Sequence, residues 1–310
     1  MNSVACVTGG TGIVGRHIVR SLLDRGYDVR VLTRKVPVDE NSRAVLFEGS
    51  LEEQASIHPF LKSCSLFFHC AGEKQDESRM MDVNVRGTEK LLSLLKRSDV
   101  KYFCHISSAG VVGKTDRPWV TEETHCNPQN IYEQSKYEAE KLALNGLPGC
   151  RTVALRPTNV IDDFQPGALQ LPMRSALIDR MKVFLKGGEC AHIVHAEDVA
   201  RAALYLMNAV PADKPECFFV SCDHERFNTY SELWSLYRVI RRKKTIVNLR
   251  PVLHLPPIIP YLLRKLLRGT GNRGDIRYSS EKLLSTGFRY QLGIEGAVRR
   301  IAAAHHSTVS

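Results

Sequence analysis

The sequence has no cysteines spaced as CxxC and no apolar run long enough to cross a bilayer. Its nine cysteines, at 6, 64, 70, 104, 126, 150, 190, 217 and 222, are scattered and odd in number. That pattern argues against both a zinc site and a disulfide framework, and no metal is expected. Cys6 and Cys104 lie inside apolar strand-like runs and read as reduced, buried thiols. The longest apolar stretch, Leu253 to Leu263, is too short and too rich in proline to span a membrane. Met1 leads straight into a strand, without a basic segment and apolar core before it, so no secretory signal is expected and the chain reads as cytoplasmic. Low-complexity tracts and fixed-period repeats are also missing.

Acid is in short supply. Asp and Glu number 33 against 43 Lys and Arg, a formal net charge of +10 over 310 residues. Nucleic acid, anionic lipid and phosphorylated small molecules are the partners such a balance suits. No zinc-finger spacing, recognition helix or RNA-binding aromatic signature accompanies the charge, so nucleic acid is not expected. The densest basic run, "RRKK" at 241–244, precedes "PPIIPYLLRKLLR" at 256–268, where apolar and basic residues alternate closely. That segment suits a lid or dimer-contact helix, and it also suits peripheral contact with an anionic membrane. A homodimer is expected.

Apolar strands alternating with amphipathic helices occupy the first two-thirds of the chain. "VACV" (4–7) leads into a helix near 13–25, with Val14, Ile18 and Leu22 on one stripe. Strands follow at 27–33, 44–49, 65–72, 101–108 and 152–157, with helices around 80–97 and 130–146. This alternation predicts an α/β fold, a doubly wound parallel sheet of the Rossmann kind covered on both faces. After about residue 160 the alternation loosens and prolines cluster. The expected division is a dinucleotide-binding core over 1–160, with returning segments at about 190–225. A smaller mixed C-terminal substrate lobe takes 161–190 and 226–310.

"TGGTGIVG" at 8–15 ends a strand and opens a helix. In that setting Gly9, Gly12 and Gly15 allow a tight turn and close backbone approach to a pyrophosphate. The helix N-terminus adds unpaired N–H groups and a positive dipole. Gly10 reads as added flexibility. At the end of the second strand an acid would bind the adenosine ribose; here Thr33 stands in its place, followed by Arg34 and Lys35. A guanidinium pairs well with a phosphate, so NADP is favoured over NAD.

Further segments then follow in order: "HCAG" (69–72), "NVRGT" (84–88), "ISSAGVVG" (106–113), "TEETHCNPQNIYEQSKYEAEK" (121–141), "LRPTNV" (155–160) and "VHAEDVARA" (194–202). Together with the glycine loop they resemble the extended short-chain dehydrogenase/reductases, of the NAD-dependent epimerase/dehydratase type. Nucleotide-sugar epimerases and reductases, 3β-hydroxysteroid dehydrogenases and dihydroflavonol reductases belong to that group. The resemblance implies that Tyr132 is the general acid/base, Lys136 its partner and Ser108 the third member of the site. The chemistry is reasonable on its own terms. A phenol ionises near ~10, and a cation one helical turn away favours the phenolate. Strand side chains alternate, so only one of Ser107 and Ser108 is expected to face the site, and the spacing before "GVVG" favours Ser108.

Other residues are implied by the resemblance alone. Ile13, Ser50 and Leu51 join the glycines around the cofactor, and backbone at Cys70, Ala71 and Gly72 lines it, as do Tyr132 and Lys136. Pro157 and Val160 are expected beside the nicotinamide. Ala109 and Asn159, with Ser108, are expected near the substrate. Asn84 organises the interior of the site, His69 packs as a strand residue, and His195 and Asp198 order a loop against a helix. The pattern also departs from the family. Ser50 replaces a common acid, Val112 a common tyrosine, and "IDDF" (161–164) the usual glycine-rich continuation. Ala109 and Gly110 stand where sugar 4,6-dehydratases place an Asp-Glu pair, so dehydration is not expected.

The expected function is hydride transfer at a secondary alcohol or ketone. A nucleotide-activated sugar is the first substrate class, and a hydrophobic steroid- or flavonol-like alcohol the alternative. A dinucleotide-binding scaffold without chemistry is the reading of another class.

Overall fold

Seven strands make one sheet: β1 (Val4–Thr8), β2 (Asp28–Thr33), β3 (Val45–Glu48), β4 (Cys64–His69), β5 (Tyr102–Ile106), β6 (Arg151–Pro157) and β7 (Glu216–Val220). In the computed structural model, which describes residues 3–34, 43–51, 54–174, 176–212, 214–243, 246, 249–268 and 272–305, their order is β7-β6-β5-β4-β1-β2-β3. The pairings β1–β2, β1–β4, β2–β3, β4–β5 and β5–β6 are parallel. This is a Rossmann-like, doubly wound sheet. Strand order reverses between β1 and β4, and ligands bind at the carboxyl ends of strands beside such a switch point.

Residues buried on both faces explain why these short runs are strands. All five residues of β5 are buried, and Ala5, Cys6 and Val7 of β1 are fully enclosed. One face carries a ladder of rings. Phe60 meets Phe47 and Phe67 edge-on, and Phe67 stacks on Phe103 at 5.9 Å. Val14, Ile18 and Leu22 are buried as their spacing predicts. Their helix runs only from Gly15 to Asp24. The preceding turn, closed by Gly12 N–H donating to Gly9 O at 2.9 Å, consumes the residues assigned to its start.

Two elements differ from expectation. A helix at Gln54–Leu61 was not legible, because Pro59 inside it reads as a breaker. The helix expected over 80–97 begins at Glu77, passes through a π-helical turn at Met81–Arg86 and ends at Leu95.

The chain divides into two units. The first holds residues 1–113, 126–157 and 199–218; the second holds 114–125, 158–198 and 219–310. The second contains two short parallel pairs, Asn159–Ile161 with Ile193–His195 and Trp119–Val120 with Arg277–Tyr278. Asp198 is buried there, and its carboxylate accepts the N–H groups of Gln291, Leu292 and Gly293 at the start of helix Gly293–Ala304. An acid at that end satisfies free donors and complements the helix dipole. No described helix is long and apolar enough to cross a membrane.

Candidate active site

The glycine loop is shaped by close approach. Gly9 has φ +65, and a Cβ there would lie 2.6 Å from Ala71 N. A Cβ on Gly15 would lie 2.2 Å from Gly9 O, and one on Gly12 3.2 Å from the same atom. Gly10 differs from its expected role: a Cβ there would meet Val31 at 2.7 Å, so packing against β2 demands glycine. The loop and the end of β4 are thereby pressed together at the switch point.

Beside them lies a cavity of about 350 Å³. Gly9, Gly12, Thr33, Arg34, Ser50, Leu51, Cys70, Ala71 and Gly72 all line it, bringing together most of the residues expected around a cofactor. Lys35 lies outside the described residues. Ile13 is half-buried and does not line the cavity, and Gly15 sits beneath the loop. Arg79, Val83 and Gly87 also line it, and sequence reasoning missed them. The π-helical turn that brings this helix to the cavity has no sequence signature. A cavity at the switch point, walled by a loop that only glycine can form, fits a dinucleotide.

Arg34 is exposed, and its charge contributes to holding the Glu73 carboxyl below its ordinary range. The larger cause is the backbone N–H of Gln75, which Glu73 accepts at 3.0 Å, with Lys74 N–H at 2.9 Å.

A hydrogen-bonded chain runs behind the cavity wall. Thr88 Oγ1 donates to Asn84 O at 2.6 Å, so it accepts from His69 Nε2 at 2.9 Å. His69 Nδ1 therefore accepts from Thr8 Oγ1 at 2.7 Å. Burial pushes His69 down to about 3, so its ring is neutral at any working pH. His69 is more than a packed strand residue: it ties the end of β1 to the helix carrying Asn84. Asn84 in turn accepts from Glu73 N at 2.7 Å and donates to Glu73 O and Ser135 Oγ, both at 2.9 Å. Ser135 Oγ donates to Tyr132 O. The amide thus organises the interior, with both of its donors and its oxygen engaged.

Helix Ile131–Leu144 begins at Asn130, whose side chain accepts Glu133 N–H at 2.9 Å, while Glu133 accepts from Gln129 N. This cap sets the register that presents Tyr132 and Lys136 on one face. Ser108 lies just past β5, half-buried, and its hydroxyl accepts Gly110 N–H at 3.1 Å; Ser107 is buried. Tyr132 is half-buried, and Ser108 is near enough to act on its phenol. Ala109 is buried, so its side chain is not presented to a substrate.

Burial raises the Tyr132 phenol above its ordinary value, and Ser108 beside it opposes this without reversing it. The Lys136 ammonium donates to Ile106 O at 2.6 Å. Burial brings Lys136 down to about 8, against the opposing pull of Glu140. Glu140 itself is clamped by buried Arg156, Nη2 to Oε1 at 2.6 Å and Nε to Oε2 at 2.9 Å. The Lys136 ammonium reaches the cavity edge, 3.8 Å from where a Cβ on Gly72 would stand.

Pro157 is buried at the end of β6. Val160 and Asn159 belong to the second unit, where the Asn159 amide donates to Ala191 O at 2.7 Å. All nine cysteines are free, and burial raises Cys70 to about 12 despite Lys136. Among the described residues no cluster could hold a metal.

Residues 5–220 match the model of the NAD dependent epimerase/dehydratase family. The chain belongs to this family. Among curated relatives, the mouse (Mus musculus) sterol-4-alpha-carboxylate 3-dehydrogenase, decarboxylating, is 26% identical over 97% of this chain and 90% of its own. A putative UDP-glucose 4-epimerase of Methanocaldococcus jannaschii is 28% identical over 65% of this chain and 72% of its own. Among solved structures, a short-chain dehydrogenase/reductase superfamily protein of Agrobacterium tumefaciens with bound NAD superposes with a TM-score of 0.76. It is 19% identical and covers 99% of this chain and 98% of its own. That likeness concerns the fold.

Proposed function

We propose that this family member is an oxidoreductase acting at a secondary alcohol or ketone of an apolar, steroid-like substrate. One observation carries the chemistry: Tyr132 and Ser108 share a helix-and-strand corner with a buried lysine whose ammonium stands beside Gly72, a residue of the cavity wall. Ser108 orients the substrate oxygen, and Tyr132 Oη gives or takes its proton. Burial raises the phenol, so it holds its proton and can donate it to a ketone oxygen. A nicotinamide dinucleotide held by the glycine loop would supply the hydride chemistry.

NADP remains the favoured form. Thr33 offers no acid at the end of β2, and two guanidinium groups, Arg34 and Arg79, line the same cavity. Identifying the dinucleotide released from the purified protein by mass tests this. NAD alone would reverse the assignment.

The apolar substrate class rests on the sterol dehydrogenase relative, whose similarity runs through nearly the whole chain, the second unit included. The epimerase relative supports a second reading, a nucleotide-activated sugar, over a smaller share. Cofactor consumption with ketosteroids against UDP-ketosugars separates the two. Oxidation of reduced cofactor by the ketosteroids supports the first reading, and activity confined to ketosugars replaces it with the second.

A further inference from the structure

Two helices of the second unit carry their apolar stripes on the outside. In helix Ile258–Arg268 the exposed residues include Ile258, Ile259, Leu262, Leu263, Leu266 and Leu267. Their spacing traces one stripe along the helix. Leu266 is 84% exposed, while Tyr261 and Arg264 on the far side are partly buried. Helix Leu177–Lys186 likewise turns apolar residues outward. Leu177, Ile178, Met181, Phe184 and Leu185 face solvent, while Val183 and the acidic Asp179 are buried. An amphipathic helix folded only for water does the reverse.

The two helices are fastened to each other's surroundings. Leu255 N–H donates to Phe184 O at 2.8 Å, and Arg264 pairs with Glu189 at 2.5 Å. A Cβ on Gly187 would lie 2.5 Å from His254 Cβ, so the backbone of one helix end sits directly on the segment leading into the other. The stripes therefore belong to one connected piece of the unit.

Charge selects the partner. The exposed ionic side chains of these helices include Arg180, Lys182, Lys186 and Lys265, and Asp179 is the sole acid in either sequence. We infer that this surface docks on an anionic lipid bilayer. Leucine and isoleucine side chains enter the boundary between headgroups and acyl chains, and the lysines and arginine reach the phosphates. A second copy docked through the same patch would bring these cations together across a two-fold axis. The sequence pointed to 256–268 for such contact; helix Leu177–Lys186 is the half that only the structure adds. Nothing in this inference depends on which alcohol the active site accepts.

The test is co-sedimentation of the full chain with phosphatidylcholine–phosphatidylserine vesicles, with phosphatidylcholine alone as control. The chain pellets with the mixed vesicles at low salt, is partly released by high salt, and binds neutral vesicles less. Leu266→Glu combined with Leu267→Glu weakens binding at least about tenfold, while the melting temperature and turnover of a soluble ketone stay unchanged. Should that variant melt early, Lys265→Glu carries the test, with reduced binding to anionic vesicles only. Wild-type chain that stays in the supernatant at low salt overturns the inference. So does a wild-type dimer that Leu262→Glu converts to monomer, which would make the stripe a self-interface.

Discussion

Helix Gly15–Asp24 and helix Ile258–Arg268 are both strongly amphipathic, yet they bury opposite faces. In the first, Ile18 and Leu22 are fully enclosed on the flank of β1 and β2. In the second, six isoleucines and leucines at the same kind of spacing point to solvent. Buried charge follows the same division of labour. The first unit encloses Arg156 and Glu140 as a bidentate pair, and Lys136 against a carbonyl oxygen. The second turns Asp179 inward at a helix whose leucines turn outward. The lesson is that periodicity identifies a stripe, and only the surroundings decide which solvent the stripe faces.

The largest expected effect lies in the first unit. Tyr132→Phe removes the hydroxyl and nothing else, and turnover of the accepted ketone falls by about 10²- to 10⁴-fold. A steady-state assay that finds kcat unchanged would show that the proton passes elsewhere.

Stability tests the burial contrast directly. Phe67→Ala takes a fully enclosed ring from between Phe60 and Phe103, and costs about 3–5 kcal/mol in denaturant unfolding. Leu262→Ser, on the outward stripe, changes the same measurement by about 0.5 kcal/mol or less. Equal losses at the two positions would mean that the stripe is part of the fold's own core.

Between these in size is a pH effect. Lys136 ionises at about 8 rather than its ordinary 10.5, so its positive charge beside the cavity wall is lost as pH rises through about 8. In the oxidative direction kcat/KM declines there, up to about tenfold per pH unit. Its share of stability moves the other way. The unfolded chain binds the extra proton between about 8 and 10.5, so stability rises with pH across that window. Lys136→Met should flatten that part of the stability curve, and an unflattened curve would assign the proton to another group.

Much of the first unit could be read from residue order. The strands, the loop at Gly9, Gly12 and Gly15, and the pair Tyr132 and Lys136 depend on local spacing, and local spacing is what a sequence displays. What escaped reading required knowing which distant segments meet. Gly10 is confined by Val31, His69 bridges Thr8 and Thr88, and Val83 reaches the cavity from a π-helical turn, with Arg79 just before it. The surroundings of the acid/base pair also escaped reading. Helical spacing places Lys136 near the phenol, and only the fold shows its ammonium against the carbonyl of Ile106 and the phenol raised by burial.

By itself, then, the order of residues determined the doubly wound sheet and the glycine loop, because these follow from periodicity and from conformations open only to glycine. Tertiary structure alone decided three things: where the lysine's proton is held, which residues wall the cavity, and that two leucine-rich helices face outward. Each depends on desolvation and on contacts between residues far apart in the chain, and neither is written in any local stretch of it.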